Sequence, residues 1–358
     1  MKPLAALSRF VAHHIGIDLG TANTLVYVRG KGIVVNEPSV VALNEKTGQV
    51  VAVGQHAKEM LGRTPQHLRA VRPLVDGVIS DFEVAEELLA YLLNTAQQGS
   101  TKLLGPRVVI GVPSGITNVE IRAVKDAAIS AGAREVHIVE EPMAAAIGAR
   151  LPVHLPRGNM IIDIGGGTTD VAIVSLGGIV TSQNIRIAGD HLNQAIMLHV
   201  RDAFKIIIGE KTAEELKIAV CALAEREEPL ETTVRGRDVI TGLPREVVVT
   251  DTDMRDAVVP LIDSLLENLR GIMEATPPEI LSDIMQAGVV LTGGGALIPG
   301  FRDLIEEVLG IPVHAAEDPL TTVARGTGII LEDFSAYRDV LLSHDEEPVI
   351  PTTRGSRT

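Results

Sequence analysis

The chain alternates short unbroken apolar runs with longer segments in which apolar positions recur every three or four residues. Runs of the first kind read as buried strands, segments of the second as amphipathic helices. From Ile15 a strand passes through Gly20-Thr21-Ala22 into a second strand, and a third follows near Ile33–Asn36. Pro38–Val53 adds strand-like runs broken by the turn cluster Asn44–Gly48, and His56–Leu61 is helical until Gly62–Pro65. Asp81 is the predicted N-cap of an amphipathic helix Phe82–Leu93. Val108–Val112 is a strand, Asn118 caps a predicted helix Val119–Ala131 ended by Gly132, and Val136–Val139 is the next strand. Glu140-Glu141-Pro142 then leads into a helix of small residues, Met143–Ala149.

The prolines and glycine of Leu151–Gly158 mark a domain boundary. Beyond it, Met160–Val174 reads as strand, glycine turn, strand, and Gly178–Ile187 continues as strand. Asp190 is the predicted cap of a helix reaching Phe204, and Lys211–Glu225 is a second helix. Glu231–Thr250 is a β excursion, and Asp251–Glu274 is a long helix stopped by Pro277-Pro278. Gly288–Gly300 is a strand running into Gly293-Gly294-Gly295, a helix starts at Phe301, and Asp318–Ile330 is a last helix. Strands alternating with helices predict an α/β fold with partly parallel sheets. The expected division is a segment 1–14, domains 15–150 and 151–331, and a polar, disordered tail 332–358.

Two stretches of this pattern are copies of each other. Ile17–Val28 aligns without a gap on Ile162–Ile173: Asp18 falls on Asp163, Gly20 on Gly165, Thr24 on Thr169, and further on Gly32 meets Gly177. So wide a repeat predicts two domains of similar build, each with one glycine hairpin. Backbone N–H groups at such a turn cradle phosphate oxygens where no side chain blocks the approach, and a neighbouring carboxylate holds Mg2+, usually through water. Two facing hairpins would clamp one polyphosphate; the competing reading is that both merely open a sheet in the same way.

Composition narrows the field. With 358 residues the chain accommodates two cores, and 46% hydrophobic content makes it globular. It has no tryptophan, only 2% aromatic residues and a formal net charge of −14, which argues against base stacking and against a basic nucleic-acid surface. One cysteine, Cys221, rules out an intrachain disulfide and fits a reducing cytosol. No apolar run is long enough to span a bilayer and the N-terminus carries no signal-peptide core, so the expected location is cytoplasmic. In Met1–His14, however, Leu4, Leu7, Phe10 and Val11 share one helical face and Lys2, Arg9 and His13 the opposite one. That is the pattern of a helix lying in a membrane interface, with a leader or a helix packed on the body as the alternative.

The remaining chemistry gathers at strand ends, where ligands of open α/β sheets bind. Gly293–Gly295 lacks an acid close in sequence and suits the approach of a base or ribose, unless it is a plain strand-to-helix turn. Glu214 and Lys217 share a helical face, either as a solvated ion pair or as a grip on ribose and base. Glu141, between a strand and a helix, is placed to orient a water for in-line attack on a γ-phosphate, with Glu140 as its rival. Cysteine and histidine spacing offers no competing nucleophile or metal cluster.

Together the motifs IDLGTANTLVYV, NEPSVVAL, AKEMLGRTP, DGVISDFEVAE, EEPMAAAIGA, IDIGGGTTDVAIVSLGGIV, LTGGGALI and EDPLTTVARG resemble the actin-like ATPase superfamily, and within it the bacterial MreB/Mbl rod-shape proteins, from Ile15 to about Leu331. The resemblance implies two facing, duplicated ribonuclease H-like domains with small subdomains near 35–70 and 190–250, and ATP–Mg2+ in the cleft between them. It places Asp18 and Asp163 around Mg2+. Gly20, Thr21, Ala22 and Asn23 would bind phosphates together with Gly165, Gly166, Gly167 and Thr168. Glu141 and Thr168 would position the lytic water. Glu214 and Lys217 would contact the nucleoside, and Gly293, Gly294, Gly295 and Ala296 would complete that pocket. The family implies slow ATP hydrolysis coupled to head-to-tail filaments on the inner membrane, where they organise cell-wall synthesis with shape proteins. Open head-to-tail contacts are the physical route to a filament. This chain departs from the pattern at Cys221, where the family usually has glycine, and at Asn193, commonly acidic. Two other classes share the hairpins: a heat-shock chaperone ATPase, which needs a β-rich peptide domain after Leu331, and a small-molecule kinase, which needs a substrate pocket with its own base.

Overall fold

The computed structural model describes residues 14–98, 105–225 and 228–342. Strand β1 (His14–Leu19) pairs antiparallel with β2 (Asn23–Val28), and β2 with β3 (Gly32–Pro38). A small sheet follows, with β4 (Val41–Asn44) between β5 (Val50–Val53) and β6 (Leu68–Val71) beside helix α1 (Gln55–Met60). A short hairpin of β7 (Leu74–Val75) and β8 (Val78–Ile79) leads into α2 (Phe82–Ala96). Strands β9 (Arg107–Val112) and β10 (Glu135–Glu140), joined by α3 (Asn118–Ser130), add in parallel to give the order β10-β9-β1-β2-β3. Helix α4 (Glu141–Gly148) starts where β10 ends.

The second half repeats this plan. The meander β11 (Asn159–Ile164), β12 (Thr169–Ser175) and β13 (Gly178–Ile185) matches β1–β3. Next come α5 (Gly189–Phe204), β14 (Ile206–Ile207), α6 (Glu210–Val220), β15 (Glu231–Asp238) and β16 (Pro244–Thr250), the strands forming a small sheet. Helices α7 (Asp251–Ala275) and α8 (Pro278–Ala287) precede β17 (Val289–Thr292), α9 (Phe301–Leu309) and β18 (Val313–Ala315). The large sheet runs β13-β12-β11-β17-β18, again three antiparallel strands followed by two parallel ones. Even the hairpin register is kept: Asp18 faces Leu25 across β1–β2, and Asp163 faces Asp170 across β11–β12.

Each large sheet buries its own cluster of Val, Ile and Leu, and a third cluster joins the two. That third cluster centres on α4 and α10 (Thr322–Glu332), whose small residues let the backbones approach closely. Gly326 lies against the carbonyl of Ala144 and Gly148 against that of Thr322, so no side chain fits at either glycine. The two halves therefore meet at the base of the molecule, and the carboxyl ends of β1 and β11 open into the cleft between them.

Several boundaries differ from the sequence expectation. Helix α3 is capped by Thr117, not Asn118, through a reciprocal pair with Glu120. Helix α5 begins at Gly189, so Asp190 lies inside its first turn and does not cap it. Helix α6 ends at Val220 instead of continuing to Glu225. The long helix α7 ends at Ala275, just before Pro277-Pro278 as expected, and Pro278 then occupies the first turn of α8, where a missing N–H costs no bond. The polar segment after Glu332 is packed as far as Leu342, since Val340 is buried, Leu341 bridges to Val139, and Leu342 N–H donates to Ile138 O at 2.9 Å. His14 opens β1; residues 1–13 of the amphipathic segment and 343–358 of the tail lie outside the described residues.

Candidate functional site

The two glycine hairpins bring their tips together across the cleft. A Cβ built on Gly166 would stand 2.7 Å from the Ala22 methyl, and one on Gly167 would stand 2.7 Å from Thr21 Oγ1 and 3.0 Å from the backbone of Asp76. Any larger residue would push the jaws apart, which is the structural reason for glycine here. Thr21 Oγ1 accepts from Gly77 N–H at 2.9 Å, so the tip of the β7–β8 hairpin closes a third side. Gly293 has φ 80°, and a side chain on it would strike the carboxylate of Asp163 and the carbonyl of Ile164. The third glycine turn, which has no acid near it in sequence, thus rests against Asp163 in space.

These turns enclose a cavity of about 510 Å³, a size typical of small-molecule sites. It is lined by Asp18, Gly20, Thr21, Ala22, Asn23, Glu141, Asp163, Gly165, Gly166, Gly167, Thr168, Glu214, Lys217, Gly293, Gly294 and Gly295. Of the residues that the resemblance assigns to the nucleotide site, only Ala296 is missing from the lining; it packs instead against the core of the second domain. Glu140 stands just before α4 outside the cavity, its side chain held by Ser114 and Gly115, so the two rival glutamates are separated by the strand-to-helix turn.

Electrostatically the cleft is loaded with acid. Burial pushes the Asp18 carboxyl up to about 7. Burial, followed by the charge of Asp18 and Asp170, raises Asp163 well above the carboxylate range. Burial raises Glu141 likewise, with Asp170, Asp18 and Asp163 adding to it. The acids share one crevice, where burial disfavours the charged form of each and, at Asp163 and Glu141, the neighbouring carboxyls add to it. No group of three or more His, Cys, Asp or Glu among the described residues is arranged to hold a metal by itself.

At the other end of the cavity, Glu214 and Lys217 do not form the solvated pair that their spacing allows. Glu214 is bound by Lys58 of the first domain at 2.9 Å, and Lys217 Nζ donates to Gly189 O at 2.8 Å. Burial lowers the Lys217 ammonium and pushes the neighbouring Cys221 thiol up to about 11, so Cys221 is a neutral wall of the cavity.

The sequence profile described as MreB/Mbl protein matches residues 12–339. The chain belongs to the MreB/Mbl family. It is 46% identical to the cell shape-determining protein Mbl of Bacillus subtilis over 322 residues, 90% of this chain and 96% of Mbl. It is 46% identical to the cell shape-determining protein MreB of Escherichia coli K12 over 338 residues, 93% and 97% of the two chains. Among solved structures, MreB5 of Spiroplasma citri bound to ADP superposes with a TM-score of 0.86 at 39% identity, covering 90% of this chain and 97% of that one. The fold is the actin-like ATPase fold, two duplicated ribonuclease H-like domains around a cleft.

Within that MreB/Mbl frame, the structure adds residues that the sequence did not single out. Arg72 reaches across the mouth of the cleft to Asp190 at 3.1 Å and Glu210 at 2.7 Å, and Lys58 bridges to Glu214. Asp170 lies behind Thr168, whose hydroxyl donates to it at 3.0 Å. Only Asp170 had a signal in sequence, as the acid closing the second glycine motif where the first has Leu25.

Proposed function

We propose that this cleft binds ATP with Mg2+ and hydrolyses it, and that turnover is coupled to head-to-tail assembly of the chain into filaments on the inner face of the cell membrane. Membership in the MreB/Mbl family makes the protein an actin-like cell-shape determinant. The observation that carries the site reading is the meeting of the two hairpin tips, Gly166 against Ala22, over a cavity lined by the carboxyls of Asp18, Glu141 and Asp163. Support comes from MreB5 of Spiroplasma citri, solved with ADP and, at a TM-score of 0.86 and 38% identity, with AMPPNP.

The backbone N–H groups of Gly20–Asn23 and Gly166–Thr168 cradle the phosphates from opposite sides, while that of Gly165 closes its own hairpin on Thr168 O at 2.9 Å. Asp18 and Asp163 would hold Mg2+, since carboxylate oxygens suit a hard cation that keeps much of its water. The bound ion supplies positive charge that offsets the crowded acids and the charge developing on the γ-phosphate. Glu141 accepts a hydrogen bond from the attacking water and Thr168 holds the same water in line. Glu214, Lys217 and Gly293–Gly295 contact ribose and base.

No helix among the described residues is long and apolar enough to cross a membrane. Membrane contact is assigned to Met1–His14, whose apolar and basic faces suit an interface. Neither the peptide domain of a chaperone nor a kinase's substrate pocket is favoured by the family assignment. Co-sedimentation with liposomes and ATP tests the assembly: the full chain pellets with lipid, and a chain lacking Met1–His14 assembles without pelleting with lipid. A protein that stays monomeric with ATP at every concentration tried would remove the filament from this reading.

A further inference from the structure

Asp170 breaks the duplication. The ungapped alignment of the hairpins puts Leu25 at its position in the first domain, and the register confirms the equivalence, since Leu25 faces Asp18 as Asp170 faces Asp163. An apolar residue satisfies the sheet at this place in one jaw, so packing alone does not call for a carboxylate in the other. The carboxylate is 2% exposed and does not line the cavity. Burying a charge out of reach of its ligand is costly unless donors surround it.

They do. Ser114 N–H and Asn184 Nδ2 donate to Oδ1, each at 3.0 Å. Asn184 Nδ2 also reaches Oδ2 at 3.1 Å, where the Thr168 hydroxyl donates at 3.0 Å. Burial raises this carboxyl, and the donors from Asn184, Ser114 and Thr168 oppose it by favouring the charged form; the carboxylate they hold is acceptor-only and takes the Thr168 hydrogen. A threonine hydroxyl has one hydrogen. Given to Asp170, it leaves Thr168 Oγ1 able only to accept from whatever stands on its cleft side. A water between Thr168 and Glu141 must then donate one hydrogen to each, and its lone pair is left pointing at the γ-phosphate.

We propose that Asp170 is the positioning residue of the hydrolysis: by fixing the direction of the Thr168 hydroxyl from behind, it fixes the orientation of the attacking water. This rests on the reading of Glu141 and Thr168 as the pair that holds that water. The same carboxylate ties the loop after β9, through Ser114, to the glycine hairpin of the other domain, so the orientation holds only while the domains keep their mutual placement.

The test compares Asp170→Asn with Asp170→Glu, reading MgATP affinity by equilibrium binding and phosphate release in single turnover. Asp170→Asn can turn its amide toward Thr168 and free the hydroxyl to donate into the cleft. Release is expected to slow about 10- to 100-fold with affinity unchanged within about twofold, the signature of a lost transition-state arrangement. Asp170→Glu keeps an acceptor and is expected to retain release within about fivefold. In a Thr168→Val background, Asp170→Asn should cost nothing further, whereas a purely structural role would add its own loss. If circular dichroism shows Asp170→Asn unfolded, Asp170→Gln against Asp170→Glu makes the same comparison between side chains of equal size. Normal release in the folded amide variants, or equal loss in the amide and acid variants, overturns the proposal. Release surviving in Thr168→Val and Glu141→Ala instead removes the underlying reading of the water site.

Discussion

Asp18 is where the chemistry of the site bears most directly on stability. Its carboxyl is pushed from 3.8 up to about 7 by burial, a change of about three pH units, or on the order of 4 kcal/mol as an upper bound. The sign follows from which state holds the proton. Between pH 4 and 7 the unfolded chain releases a proton that the folded protein retains, so stability is lost as pH rises through this window and levels off above it. Asp18→Asn is therefore expected to raise the melting temperature of the nucleotide-free protein at pH 8, to change it little at pH 4, and to abolish ATP hydrolysis. A lower melting temperature at pH 8 would mean that Asp18 is stabilised by a partner instead of strained by burial. At this scale the sequence was most legible where function sits in one short covalent stretch. Asp18, Asp163, the hairpin glycines and Glu141 could be named because each motif carries its own turn. Lys58 and Glu214 could not be paired, since they stand 156 residues apart and only the closed cleft joins them. Ala296 went wrong because a 3-10 turn after Gly293 swings it toward the core.

Helix α5 shows how an element can be anchored by its neighbour and not by its own cap. Gly189 N–H donates to Gly165 O at 3.1 Å and Asp190 N–H to Gly166 O at 2.8 Å, so the hairpin carbonyls satisfy the first turn that a side chain would otherwise cap. Asp190 is thereby released to meet Arg72, which also holds Glu210 in the first turn of α6. One arginine from the first domain thus fastens the starts of two helices in the second. Partly exposed pairs of this kind contribute about 0.2–1 kcal/mol each. Arg72→Ala is expected to speed release of a fluorescent ATP analogue by about two- to tenfold at low salt, with the difference shrinking as salt rises; stopped-flow displacement reads it. An unchanged release rate would leave Arg72 without a part in closing the cleft. Element type was readable along most of the chain because strand runs and amphipathic helices carry opposite periodicities. The errors fall at caps and at the end: the Thr117–Glu120 spacing outranked Asn118, and the side chains of Phe334, Tyr337, Val340, Leu341 and Leu342 were enough to pack a segment that reads as polar.

At the scale of the molecule, the gene-level repeat written in the two aspartate–glycine motifs becomes two sheets of one topology whose carboxyl ends face each other. The halves are joined at the base by α4 and α10 through backbone contacts at Gly148 and Gly326, and bridged at the mouth by the ion pairs Lys58–Glu214 and Arg72–Asp190. Tight packing at one end and polar bridges at the other suit a cleft that opens and shuts about its base. The jaws are alike in backbone and unlike in chemistry, for the second alone brings Asp170 behind its threonine, and Glu141 enters from the seam between the halves. The central claim is that these parts converge on one water at a bound ATP. The most direct measurement is single-turnover phosphate release by Glu141→Ala, made beside equilibrium MgATP binding on the same protein. The account predicts binding within about twofold of wild type and release slowed at least about 100-fold; release at the wild-type rate would contradict it.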